Sequence, residues 1–341
     1  MKKKYFFSFL ISTIVLSLAS CKKDSVPVII SEPKVQTQDI DLNQVTDAKA
    51  LISFSITADG NSPIKAFGYC WSRTTQTPTI DDVNSHVYNA GAKQSPISLN
   101  SNLDNLNPYD TYYVRAYATN EAGKTGYGET KTFKTLRGTF TDNDGNLYHT
   151  ITIGNQVWMQ ENWKSPLMGK TGSAISKVTD NATWSTTSLP AYCWYDNDQT
   201  NTNKKIYGGL YNWYAISNPN FAPSGWHLPT SAEFTSLFDY LGGSDFAGGK
   251  LKDVKLITDG GTWASPNTAA TNESGFTALA SGFRWHDGTF AFKGESTYLA
   301  YNQFQKAFKV NYDTKSISNI SFGGTNQGIT VRLIRDTPAN N

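Results

Sequence analysis

The chain has 341 residues, with 30 Lys and Arg against 28 Asp and Glu and a formal net charge of +2. That balance excludes the broad basic footprint of a nucleic-acid-binding protein. Charged residues make up 17% of the chain, below the roughly 25% of ordinary soluble domains, while 9 Trp, 18 Tyr, 18 Phe and 27 Gly supply many aromatics and turn-formers. Such a composition suits a β- and loop-rich exported protein more than a helical cytosolic enzyme, and the length allows two domains with cores of their own.

Lys2, Lys3 and Lys4 precede an apolar run from Tyr5 to Leu18. At 14 residues the run is shorter than the ~20 that span a bilayer, so residues 1–20 read as a secretory signal rather than a transmembrane helix. Leu18-Ala19-Ser20-Cys21 resembles the bacterial lipobox, which implies acylation of Cys21 and attachment of the mature chain to a membrane through that residue. Lys22, Lys23 and Asp24 are similar to the short tags that route lipoproteins of the Bacteroidetes type to the cell surface. The expected location is therefore the outer membrane, lipid-anchored and facing outward, with the periplasmic face as the alternative. Residues 21–33 read as a Pro-punctuated tether.

Over residues 34–136 the pattern has period two. Ile52, Phe54 and Ile56 alternate with Ser53 and Ser55, and Tyr112, Val114, Ala116 and Ala118 share the face opposite Tyr113, Arg115 and Tyr117. Leu106-Asn-Pro108-Tyr-Asp-Thr-Tyr112 and Ala118-Thr-Asn120-Glu-Ala-Gly123 resemble the penultimate strand and last hairpin of the fibronectin type III family. The resemblance implies a β-sandwich in which Leu106 and Tyr112 close a corner of the core, and such a module reads as a spacer. Cys70 and Cys193 fall in different domains and read as two unrelated buried thiols.

Eight of the nine Trp lie beyond Gly138. Tyr192-Cys-Trp-Tyr-Asp196-Asn-Asp198, Tyr207-Gly-Gly-Leu-Tyr-Asn-Trp213 and Ala222-Pro-Ser-Gly-Trp226-His-Leu-Pro229-Thr are followed by Gly282-Phe-Arg284 and Val331-Arg-Leu-Ile-Arg-Asp336. In this order they resemble the Fibrobacter succinogenes major paralogous (FISUMP) domain. The resemblance implies a non-catalytic domain of exported and surface proteins of Gram-negative bacteria. The Gly-Trp-His-Leu-Pro-Thr segment and the closing Val-Arg strand are also similar to the formylglycine-generating sulfatase-modifying family. That likeness implies a C-type-lectin-like α+β domain with long loops over residues 137–336, followed by a tail, 337–341. The fold class expected for the whole is thus mainly β plus α+β. Thr230-Ser-Ala-Glu233 is a capping box that predicts a helix with Phe234, Leu237, Phe238 and Leu241 on its buried side and Gly242-Gly243 as its stop.

The motifs of catalysis are missing. The four His are isolated, with no zinc spacing, and His227 reads as a structural residue before the capped helix. Neither a Gly-x-Ser-x-Gly elbow nor a phosphate loop occurs, and the cysteine pair of the formylglycine-generating enzymes is absent, so no enzyme is expected. Asp196 and Asp198, in a loop rich in Asn, are the candidate calcium ligands, whereas Asp142-Asn-Asp144-Gly145 reads as a hairpin turn. Trp285, His286, Tyr298, Tyr301 and Asn302 combine flat aromatic faces with polar groups and are the candidate ligand-binding residues for a sugar. The chain is therefore expected to be a surface binding or adhesion protein for a polysaccharide or a cell-envelope protein. A structural envelope or matrix component without soluble ligand is the alternative. A divergent enzyme would require a deep pocket with convergent carboxylates.

Overall fold

In the computed structural model, residues 27–336 are described, except 83, 199 and 201. The signal segment, Cys21 with the lipidation expected there, the tether up to residue 26 and the tail at 337–341 lie outside the described residues. Alternation along the strands shapes the first half: β1 (Lys34–Thr37), β2 (Ala50–Ala58), β3 (Ile64–Ser72), β4 (Ser85–Lys93), β5 (Ile97–Leu103), β6 (Thr111–Asn120), β7 (Thr125–Tyr127) and β8 (Lys131–Lys134). One antiparallel sheet has the order β1-β2-β5; in the other β4, β3 and β6 are neighbours, and β7 and β8 both pair with β6. Ile52, Phe54 and Ile56 share one core with Tyr69, Tyr112, Val114 and Ala116, so the inward faces read from the sequence are those that pack. Tyr117, expected on the outer face, is buried, because Tyr127 of β7 lies across from it with ring centroids 6.4 Å apart.

Only three residues separate β8 from the next strand, and they are held. Thr135 donates to the Asp110 carbonyl at 2.9 Å, Leu136 to that of Thr46 at 3.1 Å, and Tyr109 to that of Leu136 at 2.8 Å. Arg73 of β3's end pairs with Asp110 and also donates to the Gly154 carbonyl and to Asn155 Oδ1, so it bridges the two halves.

The second half contains β9 (Gly138–Thr141), β10 (Leu147–Ile153), β11 (Gln156–Met159), β12 (Ser176–Lys177), α1 (Asn181–Thr186), β13 (Ala191–Cys193), α2 (Thr202–Tyr207), β14 (Leu210–Tyr211), α3 (Trp213–Ile216) and β15 (Trp226–His227). There follow α4 (Ser231–Tyr240), α5 (Ser244–Leu251), β16 (Ser281–Arg284), β17 (Phe290–Lys293), β18 (Ser296–Ala300), β19 (Lys306–Asn311), β20 (Ile317–Ser321) and β21 (Ile334–Arg335). The sheet β15-β21-β11-β10-β9 brings the last strand between early ones, which closes the unit on itself. Strands and long loops predominate and the helices are few and short. Trp158, Trp163, Trp184, Trp213 and Trp263 are fully buried and form the anchors of the core.

Helix α4 starts as the capping box requires, Thr230 accepting from the Glu233 amide and Glu233 from that of Thr230. Its Phe234 and Phe238 lie 5.3 and 5.0 Å from the Phe308 ring of β19. Gly242 and Gly243, at φ 94° and 98°, stop α4 where the sequence places its end, and helix α5, which the sequence did not announce, follows at once. Its glycines explain why propensity hides it: a Cβ on Gly248 would stand 2.7 Å from the Ser316 carbonyl oxygen, and one on Gly249 would strike that of Ala269. Glycine weakens a helix by about 1 kcal/mol, but here it admits the neighbouring backbone.

Candidate binding face

Strands β16 and β17 form a hairpin whose turn is set by Asp287, which accepts from the Thr289 amide at 2.9 Å and its hydroxyl at 2.7 Å. Buried Phe283 is the hub beneath it. Its ring lies 4.5 Å from Trp285, 5.9 Å and nearly parallel to Phe292, 4.8 Å from Tyr298 and 5.8 Å from Phe322. Trp285 and Phe292 remain 38% and 39% exposed on this hub, and Lys309 Nζ stands 5.7 Å over the Phe292 ring. Phe292 has φ 61°. A bulky residue in the left-handed region costs about 1–2 kcal/mol, so the chain bears strain where it displays this ring. Phe304, 56% exposed, lies over buried Trp213 at 6.1 Å.

The five residues expected to bind ligand do not converge. Trp285 and His286 are exposed at the hairpin tip. Tyr298 is buried under it, flanked by Phe283 and Phe322, and Tyr301 is buried in a different core, stacked on Phe308 at 4.8 Å with its hydroxyl donating to Asn319 Oδ1. Tyr298 is a core residue because every residue of β18 is buried, and Tyr301, just beyond β18, because its ring packs on Phe308, so neither offers a ring face to a ligand. Asn302 is exposed beside the start of α4, its amide donating to the Pro229 carbonyl at 2.6 Å. Phe292, exposed on the Phe283 hub with Lys309 over its ring, was not singled out by the sequence; the Asp287-Gly288 turn was the available signal that the flanking residues form a displayed hairpin.

Asp198 spends its carboxylate locally. It accepts from the Thr200 amide and hydroxyl at 2.8 and 2.6 Å and from the Asn203 amide at 2.7 Å, anchoring the start of α2. Asp196 is exposed at φ 54°, and among the described residues no three His, Cys, Asp or Glu side chains gather to hold a metal. The hydrogen bonds to Thr200 and Asn203 hold Asp198 down to about 2. Since an unfolded aspartate titrates near ~3.9, this anchoring is complete above about pH 4 and is lost as pH falls through 2. The Thr200 and Asn203 amide resonances are expected to titrate with a midpoint of about 2 and to stop doing so in Asp198→Asn, which NMR checks directly.

Three buried cations fix the loops. Arg284 donates to the carbonyls of Gly288, Val178 and Thr179 at 2.9, 2.7 and 3.0 Å, and to Asn181 Oδ1 at 2.9 Å, with its guanidinium 4.3 Å from the Trp184 ring. Arg332 donates from Nε and Nη2 to Asn162 Oδ1 at 3.0 and 2.9 Å and from Nη1 to the Phe276 carbonyl at 2.7 Å. Lys252 donates to the carbonyls of Thr268, Thr314 and Asn311 at 2.8, 2.9 and 3.0 Å. Among the described residues none of the three has a carboxylate at ion-pair distance. Their charge is dispersed over neutral oxygen acceptors that would otherwise be buried unpaired.

The reactive groups are similarly occupied. His227 lies between Glu233 at 2.9 Å and Asp336 at 2.7 Å and fastens β15 to α4 and to the residue that follows β21. Cys70 and Cys193 are free and buried, and burial pushes both thiols up to about 11.

These features define a β-rich, loop-dominated module with an internally pinned frame and an aromatic outer hairpin. Residues 151–335, just over half of the chain, match the Fibrobacter succinogenes major domain (Fib_succ_major), and the chain belongs to that family. No curated protein matches it. Among solved structures, the sensor domain of the anti-sigma factor RsgI4 of Pseudobacteroides cellulosolvens matches in a short form at 18% identity, covering 31% of this chain and 97% of that one, with a TM-score of 0.24. A longer form matches at 16% identity over 30% and 89%, with a TM-score of 0.23. Likeness at that level carries no argument for fold or function.

Proposed function

We propose that this protein is a non-catalytic binding protein of the cell envelope, anchored through acylated Cys21, whose second half offers the Trp285–Phe292 face to a polysaccharide. In this reading residues 34–136 are a fibronectin type III-like spacer and residues 137–336 a lectin-like module on the outer face of the outer membrane. The carrying observation is the pair of exposed rings held over Phe283, one of them at a strained backbone position. Flat aromatic faces suit the C–H surface of a pyranose, and the Lys309 ammonium beside them can donate to hydroxyls. No helix among the described residues is long and apolar enough to cross a membrane, which leaves the anchor to the lipid in this proposal.

The test is binding of the full chain, in detergent, to a panel of glycans and insoluble polysaccharides with and without calcium. Saturable binding that weakens about tenfold in Trp285→Ala and in Phe292→Ala is the expected result, each ring contributing about 1.4 kcal/mol. A chelator effect that Asp196→Asn or Asp198→Asn abolishes would add calcium to the site. Absence of binding across the panel would refute the polysaccharide reading and favour the structural envelope component.

A further inference from the structure

A cleft of about 650 Å³ opens where the two halves meet, within the roughly 300–1,000 Å³ usual for small-ligand sites. The β10–β11 turn forms its floor, Arg73 and Asp110 stand on the side of the first half, and α4 and β21 form the side of the second. Four charged residues line it: Arg73, Asp110, Glu233 and Arg335. Arg73 and Asp110 neutralise each other, and Glu233 is spent on His227 and on the Thr230 amide and hydroxyl.

Arg335 is different. It is half-buried, no carboxylate among the described residues lies at ion-pair distance, and its side-chain hydrogen bond, from Nη2 to Asn107 Oδ1, is long at 3.4 Å. Asp47 acts on it only from beyond ion-pair range, and burial lowers its pKa. A guanidinium taken from water without an acceptor for its fork is costly, and a planar carboxylate is the acceptor that fits it. Other open groups surround it. Thr152 Oγ1 is buried in the lining without a partner, and Ser236 donates to the Ala232 carbonyl and keeps its lone pairs. Tyr240, 66% exposed, adds a flat ring at the rim.

We propose that this cleft binds a sugar ring bearing a carboxylate, of the uronic acid class, with Arg335 forking the carboxylate and Tyr240 stacking on the ring. Thr152 and Ser236 meet the hydroxyls. The site shares no residue with the Trp285–Phe292 face and stands or falls separately from it. Because residues from both halves line it, a ligand there also braces the joint.

The test uses the full chain in detergent, titrated calorimetrically with a galacturonate trisaccharide, its methyl-esterified neutral counterpart, and inorganic phosphate. The acidic sugar is expected to bind at least about tenfold more tightly than the neutral one, with that preference lost in Arg335→Gln, partly kept in Arg335→Lys, weakened in Tyr240→Ala and unchanged in Trp285→Ala. Arg335 pairs with Trp226 through its backbone, so these changes leave the strand's ladder in place, and melting curves check that each variant is folded. Equal binding of the two sugars, an undiminished acid preference in Arg335→Gln, or no binding at millimolar concentration would overturn the proposal. Phosphate competing as well as the sugar would reduce the cleft to a plain anion hole and likewise overturn it.

Discussion

Replacing Arg332 by Met is expected to lower the melting temperature of the second half by about 10 °C, read by near-ultraviolet circular dichroism from its many buried tryptophans. The side chain is fully buried beside the Phe276 ring at 4.3 Å, and its hydrogen bonds tie it to two distant segments: the Met159 carbonyl and Asn162 side chain in one, the Phe276 carbonyl in the other. Methionine fills much of the volume but leaves those oxygens without donors. An unsatisfied buried acceptor costs about 1–3 kcal/mol, and with three acceptors left behind the loss is at least about 3 kcal/mol. At roughly 2–4 °C per kcal/mol for a unit of this size, a shift of about 10 °C follows. Arg332→Lys should recover only part of it, since an ammonium cannot reproduce the fork. A melting temperature unchanged within about 2 °C would show that the network contributes nothing net.

Lys252→Met should cost about 2–4 kcal/mol, by the same removal of donors from buried carbonyls. Lys252 is wholly buried, and its three close acceptors lie in the segments at Thr268, Asn311 and Thr314, so their amides should lose hydrogen-exchange protection first. The pH dependence has a definite sign. Burial lowers Lys252 to about 8, whereas the unfolded side chain titrates near ~10.4. Between those values the unfolded chain binds more protons, so this group's contribution rises as pH increases from about 8 to about 10.4 and is lost as pH falls through 8. Denaturant unfolding of both proteins at pH 7 and pH 10 checks this, and the gap between them should widen at the higher pH. A gap that narrows would contradict the assignment.

Local chemistry made parts of this structure readable. Ile52, Phe54 and Ile56 alternate because one face of β2 is buried, and Thr230 with Glu233 marks the start of α4 because the cap needs only neighbouring residues. Tyr298 was misleading because β18 is covered on both sides, which removes the alternation that would have placed it in the core, and Tyr301 because it follows the strand and is buried by the Phe308 ring of β19. Helix α5 was hidden since Gly248 and Gly249 argue against a helix until the carbonyls pressed against them are known. The display of Phe292 depends on a positive φ that its residue type does not announce. Arg284 and Arg332 stood in recognisable motifs, but their roles were illegible because most of their acceptors are main-chain oxygens, and every side chain along the sequence has one beneath it.

That last point bears on how such a domain can vary. When a loop is secured by a side chain, the residue supplying the bond must be kept. At Val178, Thr179, Thr268, Thr314 and Phe276 the bond is supplied by a carbonyl, which any replacement amino acid also carries. The burden of retention falls on the few buried cations, and the residues above them are released for recombination and graft. A library randomised over the exposed hairpin tip at Trp285 and His286, with Asp287 kept to hold the turn, can thus explore new surfaces on an unchanged chassis.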